Sequence, residues 1–167
     1  AAAEAEAPRS ISTIDPKRIR FRPHRRSSHS GERRRRLSRV LLIDDDRNIR
    51  DLLARLLTGQ GFLVEVAENG QTGLNSAFDS PPDAIVLDIM MPGMDGWSVL
   101  KQLRASPRLE HTPVIIFSML DVSHMSHALG ANYYIPKPLD RGEFLRVLKK
   151  SLRRAEENSE SPGEHSA

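Results

Sequence analysis

The chain has 167 residues, which is enough for one well-buried domain with tails and too few for two full domains. It contains no cysteine, which excludes a disulfide framework and thiolate metal sites, and it has no run of about 18 apolar residues, so no membrane span is expected. Residues 1–39 carry 12 Lys or Arg and 4 Asp or Glu, a charge of +8, whereas residues 40–167 carry 13 and 18, a charge of −5.

Residues 1–38 are rich in Ser, Arg and Pro and show almost no apolar periodicity. We predict a disordered basic arm or linker, because such a segment buries too little apolar area to offset its chain entropy. Four consecutive arginines at 33–36 leave contact with nucleic acid open, although Phe21 stands alone without the further aromatics that base stacking uses. No charged-then-apolar leader opens the chain, so no secretory signal is expected, and we predict a cytoplasmic location.

From Val40 onward, short apolar runs alternate with amphipathic stretches. The apolar runs, which are predicted strands, cover residues 40–43, 62–66, 84–87, 114–117 and 133–135. A helical pattern of apolar residues follows each run, and the fourth of these helices, at about 122–129, is short. Five such alternations predict an α/β, doubly wound, five-stranded parallel sheet with helices on both faces over residues 39–153. Residues 154–167 are predicted to form a disordered acidic tail.

Polar side chains follow the carboxyl ends of four predicted strands. Asp44 and Asp45 follow the first strand, Asp88 the third, Ser118 the fourth, and Lys137 the fifth. Because parallel strands end at the same edge of a sheet, we expect these groups to converge. Carboxylates brought together need a cation to stay ionised, and oxygen ligands without His or Cys favour Mg²⁺. The first strand–helix turn lacks Gly-x-Gly-x-x-Gly, which disfavours a dinucleotide site.

These features, in this order and spacing, resemble the receiver domain of two-component response regulators. They are the Asp44–Asp45 pair, Asp88 followed closely by Met-Pro-Gly-Met-Asp-Gly, Ser118, and Lys137 followed by Pro138. The resemblance covers about residues 39–153 and implies the flavodoxin-like receiver fold with strand order 2-1-3-4-5. It also implies a phosphorelay module that takes a phosphoryl group from a histidine kinase or phosphotransfer protein and switches partner binding, without turning over a substrate.

The resemblance assigns the acidic residues by position. Asp88 is implied to be the nucleophile that becomes 4-aspartylphosphate. Asp88 is also implied to be a Mg²⁺ ligand, together with Asp45, which binds directly, and Asp44, which binds through a metal-bound water; the backbone carbonyl of Met90 completes the protein's share. Asp46, the third acid of the run, is predicted to cap the following helix rather than to bind metal.

The same resemblance assigns the groups on the last two strands. Lys137 is implied to pair with one phosphoryl oxygen and Ser118 to hydrogen-bond another, with a cis bond before Pro138. Tyr134 is implied to be the switch aromatic. Two features depart from the common pattern: the interval from Ser118 to Lys137 is about one helical turn short, and Met119 stands where a small residue is usual. We expect the Met119 side chain to slow loss of the phosphoryl group.

Two other functions stay open. A magnesium-dependent phosphohydrolase of similar topology needs a second acid two residues beyond the nucleophile, where this chain has Met90. A degenerate receiver that only binds proteins is disfavoured by the intact acidic set. Whether the chain is a stand-alone receiver or the receiver of a longer hybrid kinase is also open, since it begins with Ala rather than Met.

Overall fold

The computed structural model describes residues 36–160, except for the side chains of residues 123, 124, 159 and 160. Strands and helices alternate five times over this part of the chain. The strands are β1 (Arg39–Ile43), β2 (Leu63–Ala67), β3 (Ala84–Leu87), β4 (Val114–Ser118) and β5 (Tyr133–Pro136). The helices are α1 (Arg47–Gly59), α2 (Gly70–Asp79), α3 (Gly96–Ala105), α4 (Ser123–Ala128) and α5 (Arg141–Glu160). Within residues 36–160, no helix has the length and apolar character needed to cross a membrane.

The five strands form one parallel sheet in the order β2-β1-β3-β4-β5. This confirms the predicted doubly wound fold and its strand order. Strands β1 and β3 are neighbours in which Ile43 pairs with Leu87. The next residue on each strand, Asp44 or Asp88, therefore leaves the sheet at the same edge and at the same level.

The three inner strands, β1, β3 and β4, are buried on both faces, and this explains why they read as continuous apolar runs. Alternate residues of each strand point to opposite faces, so a strand covered on both sides needs apolar side chains throughout. Along β1, Val40 and Leu42 pack with the buried residues of α1 and α5. Leu41 and Ile43 pack on the other face with those of α2 and α3. The sheet edge that carries the acids is thus attached to a core on either side.

The last helix is longer than the sequence predicts. It continues to Glu160, so the prediction of a disordered tail is wrong for residues 154–160. The buried residues of this helix end at Leu152, but the following segment, Arg-Arg-Ala-Glu-Glu, consists of strong helix formers. Residues 161–167 and 1–35 lie outside the described residues, and the predictions for them stay predictions.

Three aspartates at the amino ends of helices act as caps. Asp46 accepts hydrogen bonds from the backbone amides of Asn48 and Ile49, at 2.8 and 3.4 Å, which confirms its predicted role. Asp95 caps α3 by accepting from the amide of Ser98 at 2.8 Å. Asp140 caps α5 in the same way through the amide of residue 143, at 2.8 Å. Their side chains are thereby fixed by local backbone donors.

Arg104, near the end of α3, connects the loops that flank β4 and β5. Its guanidinium donates hydrogen bonds of 2.8–3.2 Å to the carbonyl oxygens of Leu109, Glu110, Thr112 and Gly130 and to Oδ1 of Asn132. Burial lowers the pKa of Arg104 from its usual value. One planar side chain therefore satisfies acceptors on two loops that are far apart in the sequence.

Replacing Arg104 by alanine is expected to lower the free energy of unfolding by about 2 kcal/mol, because several carbonyls lose a charged donor and some remain shielded from water. Urea unfolding measures the change. Arg108→Ala is the matched control, since Arg108 is exposed and donates a hydrogen bond to the carbonyl of Phe78. Equal losses of unfolding free energy in the two variants would show that the hydrogen bonds of Arg104 stabilise the fold no more than the surface contact of Arg108.

Candidate functional site

Three aspartates meet at the carboxyl edge of the sheet. One carboxylate oxygen from each of Asp44, Asp45 and Asp88 lies within 4.8 Å of the others. The backbone amide of Asp88 donates to the carbonyl of Ile43 at 2.8 Å, which extends the β1–β3 pairing beyond the last paired residues. Asp44 and Asp88 are buried and Asp45 is exposed. The predicted convergence of these acids is therefore observed.

Lys137 lies between two of the carboxylates. Its Nζ atom is 2.8 Å from Oδ2 of Asp44 and 3.0 Å from Oδ2 of Asp88. The lysine side chain is only 9% exposed, and Nζ lies 5.4 Å from the centre of the Phe117 ring. The Lys137–Pro138 peptide bond is cis. One buried ammonium thus faces two buried carboxylates, and Asp45 adds a third negative charge nearby.

Burial and the contacts within the cluster shift the pKa values of Asp44 and Lys137. Burial raises the pKa of Asp44, although hydrogen bonds from Lys137 and from the amide of Asp46 act in the opposite direction. Burial by itself lowers the pKa of Lys137, but hydrogen bonds and charges from Asp44 and Asp88 outweigh it, and the pKa lies above its usual value. Lys137 is therefore charged at neutral pH, whereas the charged form of Asp44 is held at a cost in free energy.

Ser118 contributes a buried hydroxyl without a partner. Its side chain is 0% exposed, and its Oγ atom has no hydrogen-bond partner among residues 36–160. The carbonyl of Ser118 accepts from the amide of Lys137 at 2.9 Å, so the two residues are adjacent at the ends of β4 and β5. A buried polar atom without a partner is rare and costly, which makes this hydroxyl suited to a ligand that enters the site.

The donor set fits a hard divalent cation. Among the side chains that the structure describes, it consists of carboxylate oxygens without His or Cys, and Mg²⁺ prefers a few carboxylates together with water and phosphate oxygens. Asp88 is held at both oxygens, since Oδ1 accepts from the amide of Met90 at 3.1 Å and Oδ2 contacts Lys137. The predicted role of the Met90 carbonyl as a metal ligand stays a prediction.

Tyr134 lies outside this ion-pair cluster. Its hydroxyl donates a 2.8 Å hydrogen bond to the carbonyl of Leu120, in the loop that follows Ser118. Burial, and then the charge of Asp121, raise the pKa of Tyr134. Helix α4, which begins after this loop, has only six residues, in agreement with the short interval seen in the sequence. The role of Tyr134 as a switch stays a prediction.

Two residues support the site in ways that were not predicted from the sequence: Gly96, which was quoted only as part of a motif, and Arg50. A Cβ atom at Gly96 would collide with the carbonyl oxygen of Asp88 and lie 2.7 Å from the Cα atom of Ile89, so only glycine fits where α3 begins. The guanidinium Nη1 of Arg50 donates a 2.7 Å hydrogen bond to the carbonyl of Asp44. The glycine after a Pro-containing turn was a usable signal, whereas nothing in the sequence separates Arg50 from Arg47.

Comparison with known proteins agrees with this geometry. The family model described as response regulator receiver domain matches residues 40–149. The chain is 39% identical over 129 residues to "Response regulator MprA" of Mycobacterium sp. strain KMS, covering 74% of this chain and 55% of that protein. It is 40% identical over 119 residues to the protein of the same name from Mycolicibacterium vanbaalenii, covering 70% and 51%. The chain thus spans about half the length of these curated relatives.

Solved structures give the same result. The CheY-like response regulator receiver domain protein of Methanospirillum hungatei superposes with a TM-score of 0.69 at 28% identity, over 74% of this chain and 99% of that one. The receiver domain of Francisella response regulator 1452 superposes with a TM-score of 0.66 at 32% identity, over 70% and 98%. The strand order, the acidic cluster and the match over residues 40–149 together show that the chain belongs to the response regulator receiver domain family.

Proposed function

We propose that residues 39–153 act as a phosphorelay receiver. Asp88 accepts a phosphoryl group from the phosphohistidine of a histidine kinase or phosphotransfer protein, in a Mg²⁺-dependent reaction, and the modified domain changes its binding to a partner. The observation that carries this proposal is the buried Asp88 carboxylate, in contact with Lys137 and clustered with Asp44 and Asp45.

The residues of the site have separate tasks in this reaction. Asp88 is a nucleophile whose two oxygens are oriented by the amide of Met90 and by Lys137. A bond forms between phosphorus and one oxygen of Asp88 while the bond from phosphorus to the donor imidazole breaks. Lys137 then pairs with a phosphoryl oxygen, and the hydroxyl of Ser118 donates to another.

Asp44, Asp45 and Asp88 are the residues that would hold the cation. Bound Mg²⁺ supplies positive charge next to the phosphoryl oxygens, which matters because phosphoryl transfer depends on positioning and charge stabilisation. Met90 stands at the position where a phosphohydrolase needs a second acid; it is exposed and carries no charge, so loss of the phosphoryl group is expected to be slow. The expected product is therefore a modified protein.

Labelling with a phosphorylated kinase and Mg²⁺ tests the proposal. Incorporation that stops at about one phosphoryl group per chain supports the receiver function. Sustained hydrolysis of a phosphate ester would favour the phosphohydrolase, and no incorporation from any donor would favour a degenerate receiver that only binds proteins. We also propose a cytoplasmic location. Nucleic-acid contact by the arginines at 33–36 is a separate question, which labelling does not test.

Replacing Ser118 by alanine is expected to affect stability and phosphorylation in opposite directions. The free energy of unfolding should stay the same or rise by about 1 kcal/mol, because a buried hydroxyl without a partner is removed. The rate of phosphorylation should fall about 10-fold, because a hydrogen bond to a charged oxygen is lost. Urea unfolding and the time course of labelling measure the two effects.

Ser126→Ala is the matched control for this substitution. Ser126 is also buried, but its Oγ atom donates to the carbonyl of Val122 at 2.7 Å. This variant should lose stability and keep the wild-type rate of phosphorylation. A wild-type rate in Ser118→Ala would contradict the proposed contact between Ser118 and the phosphoryl group.

Replacing Met119 by alanine is expected to speed the loss of the phosphoryl group severalfold. The Met119 side chain is 71% exposed and directly follows Ser118, so its removal opens the approach of water to this part of the site. The half-life of phosphorylated protein after removal of the kinase measures the effect. Met125→Ala is the control, because Met125 is half-exposed and lies on α4. Equal half-lives for wild type and Met119→Ala would reject the prediction.

A further inference from the structure

The three acids of the site are not held in the same way. Asp44 accepts from Lys137 and from the amide of Asp46, the latter at 2.9 Å. Asp88 accepts from Lys137 and from the amide of Met90. The exposed carboxylate of Asp45 has no hydrogen bond or ion pair with any residue in the range 36–160. The direction in which the Asp45 side chain points therefore depends on how the backbone on either side of Asp45 is held.

The backbone before Asp45 is held by Arg50. The Nη1 atom of Arg50 donates a 2.7 Å hydrogen bond to the carbonyl oxygen of Asp44, and this carbonyl belongs to the peptide unit that joins Asp44 to Asp45. A peptide unit is planar, so fixing its oxygen fixes the direction in which the Cα atom of Asp45 leaves it. Arg50 is itself carried on the first turns of α1, a 13-residue helix.

The backbone after Asp45 is held as well. The amide of Asp46 donates to Oδ1 of Asp44, and the side chain of Asp46 caps α1. With Arg50 on one side and this turn on the other, Asp45 is fixed at both of its peptide units. The Arg50 side chain makes one of these contacts, and no other role in the site is assigned to it.

We propose that Arg50 is a positioning residue for the cation site: it fixes the peptide unit before Asp45 and so aims the Asp45 carboxylate at the bound divalent cation. This inference rests on the proposed function, which supplies the cation. For the change in Mg²⁺ affinity when Arg50 is removed, it predicts the opposite of what simple electrostatics predicts. A guanidinium beside three carboxylates repels a cation, so removing its charge alone would strengthen Mg²⁺ binding. Removing a positioning contact weakens it.

Magnesium titration of the full chain tests the proposal in three variants. Arg50→Ala is expected to raise the Kd for Mg²⁺ about 10-fold, as is common when a residue that orients a metal ligand is lost. Arg50→Lys keeps the charge and one reaching donor, so its Kd should lie between those of wild type and Arg50→Ala. Arg47→Ala is the control, because Arg47 is on the same helix but exposed, with a 3.8 Å contact to Asp51.

Isothermal titration calorimetry with MgCl₂ at constant ionic strength gives the Kd values. The fluorescence of Trp97, the single tryptophan, gives a second reading, since Trp97 follows the glycine that lies against Asp88. A Kd for Arg50→Ala equal to or below that of wild type would overturn the proposal. So would a variant that loses stability in urea yet binds Mg²⁺ with wild-type affinity, because Arg50 would then be only structural.

The failure of this inference and that of the proposed function are distinguishable. If wild type binds Mg²⁺ and is phosphorylated, but Arg50→Ala binds Mg²⁺ equally well, only the role of Arg50 is rejected. If wild type shows no saturable Mg²⁺ binding, the cation site itself is rejected, and the role of Arg50 is rejected with it.

Discussion

Phosphoryl incorporation from a phosphorylated histidine kinase is expected to fall below detection when Asp88 is replaced by asparagine. The amide keeps the size of the carboxylate and an oxygen that can accept from the amide of Met90, although the ion pair with Lys137 is lost. It lacks the charged oxygen that attacks phosphorus, and losing the nucleophile removes the reaction rather than slowing it. Intact-protein mass spectrometry after incubation with kinase and Mg²⁺ measures the incorporation.

Asp95→Asn is the matched control for this experiment. Asp95 lies in the same loop and caps α3 through the amide of Ser98, a task that asparagine performs equally well. This variant should be labelled like wild type. Labelling of Asp88→Asn at the wild-type level would show that another residue accepts the phosphoryl group, and peptide mapping would then identify it.

The sequence alone was sufficient to predict the features that depend on the order of the strands and on where each strand ends. Asp44 and Asp88 directly follow apolar runs, Asp45 comes one residue later, and the parallel sheet then determines that the three acids meet. Asp45 and Asp46 are consecutive and chemically identical, but Asp46 immediately precedes the first helical residue, and a residue in that position accepts from the helix amides. Position relative to a predicted element was therefore enough to assign the cap.

Contacts made by long side chains could not be predicted in this way. Arg104 reaches carbonyl groups on two loops, and Arg50 reaches the carbonyl of Asp44, yet a backbone acceptor leaves no mark in the sequence. The end of α5 was missed for a different reason. The prediction followed the apolar pattern, which stops at Leu152, whereas exposed helix formers continue the helix through intrinsic propensity.

Replacing Lys137 by alanine is expected to lower the free energy of unfolding of the metal-free protein by about 3 kcal/mol near neutral pH. The substitution leaves Asp44 and Asp88 buried, close together and without their ammonium partner, and breaking a buried ion pair at one partner is costly. Urea unfolding over a range of pH measures the loss. Lys149→Ala is the control, because Lys149 is exposed and donates to the side chain of Gln60.

The loss should be largest near neutrality and smaller at both extremes of pH. Burial already raises the pKa of Asp44, and without Lys137 it rises further. A carboxyl with a raised pKa in the folded state contributes stability that is fully present below its unfolded pKa of about 3.9 and is lost as the pH rises through the folded value. The variant therefore loses more stability than wild type as the pH rises above about 4.

At alkaline pH, the smaller difference in stability between wild type and Lys137→Ala follows from the titration of Lys137 itself. Burial lowers its pKa, but the contacts with Asp44 and Asp88 outweigh burial and raise it. Its contribution to wild type is present below the unfolded pKa of about 10.4 and is lost as the pH rises through the folded value, so the difference between the two proteins closes there. Adding Asp44→Asn to the variant should restore part of the stability, because one of two repelling carboxylates is removed. A difference that stays constant from about pH 4 to about pH 11 would mean that Lys137 stabilises the fold through its methylene chain, and not through its charge.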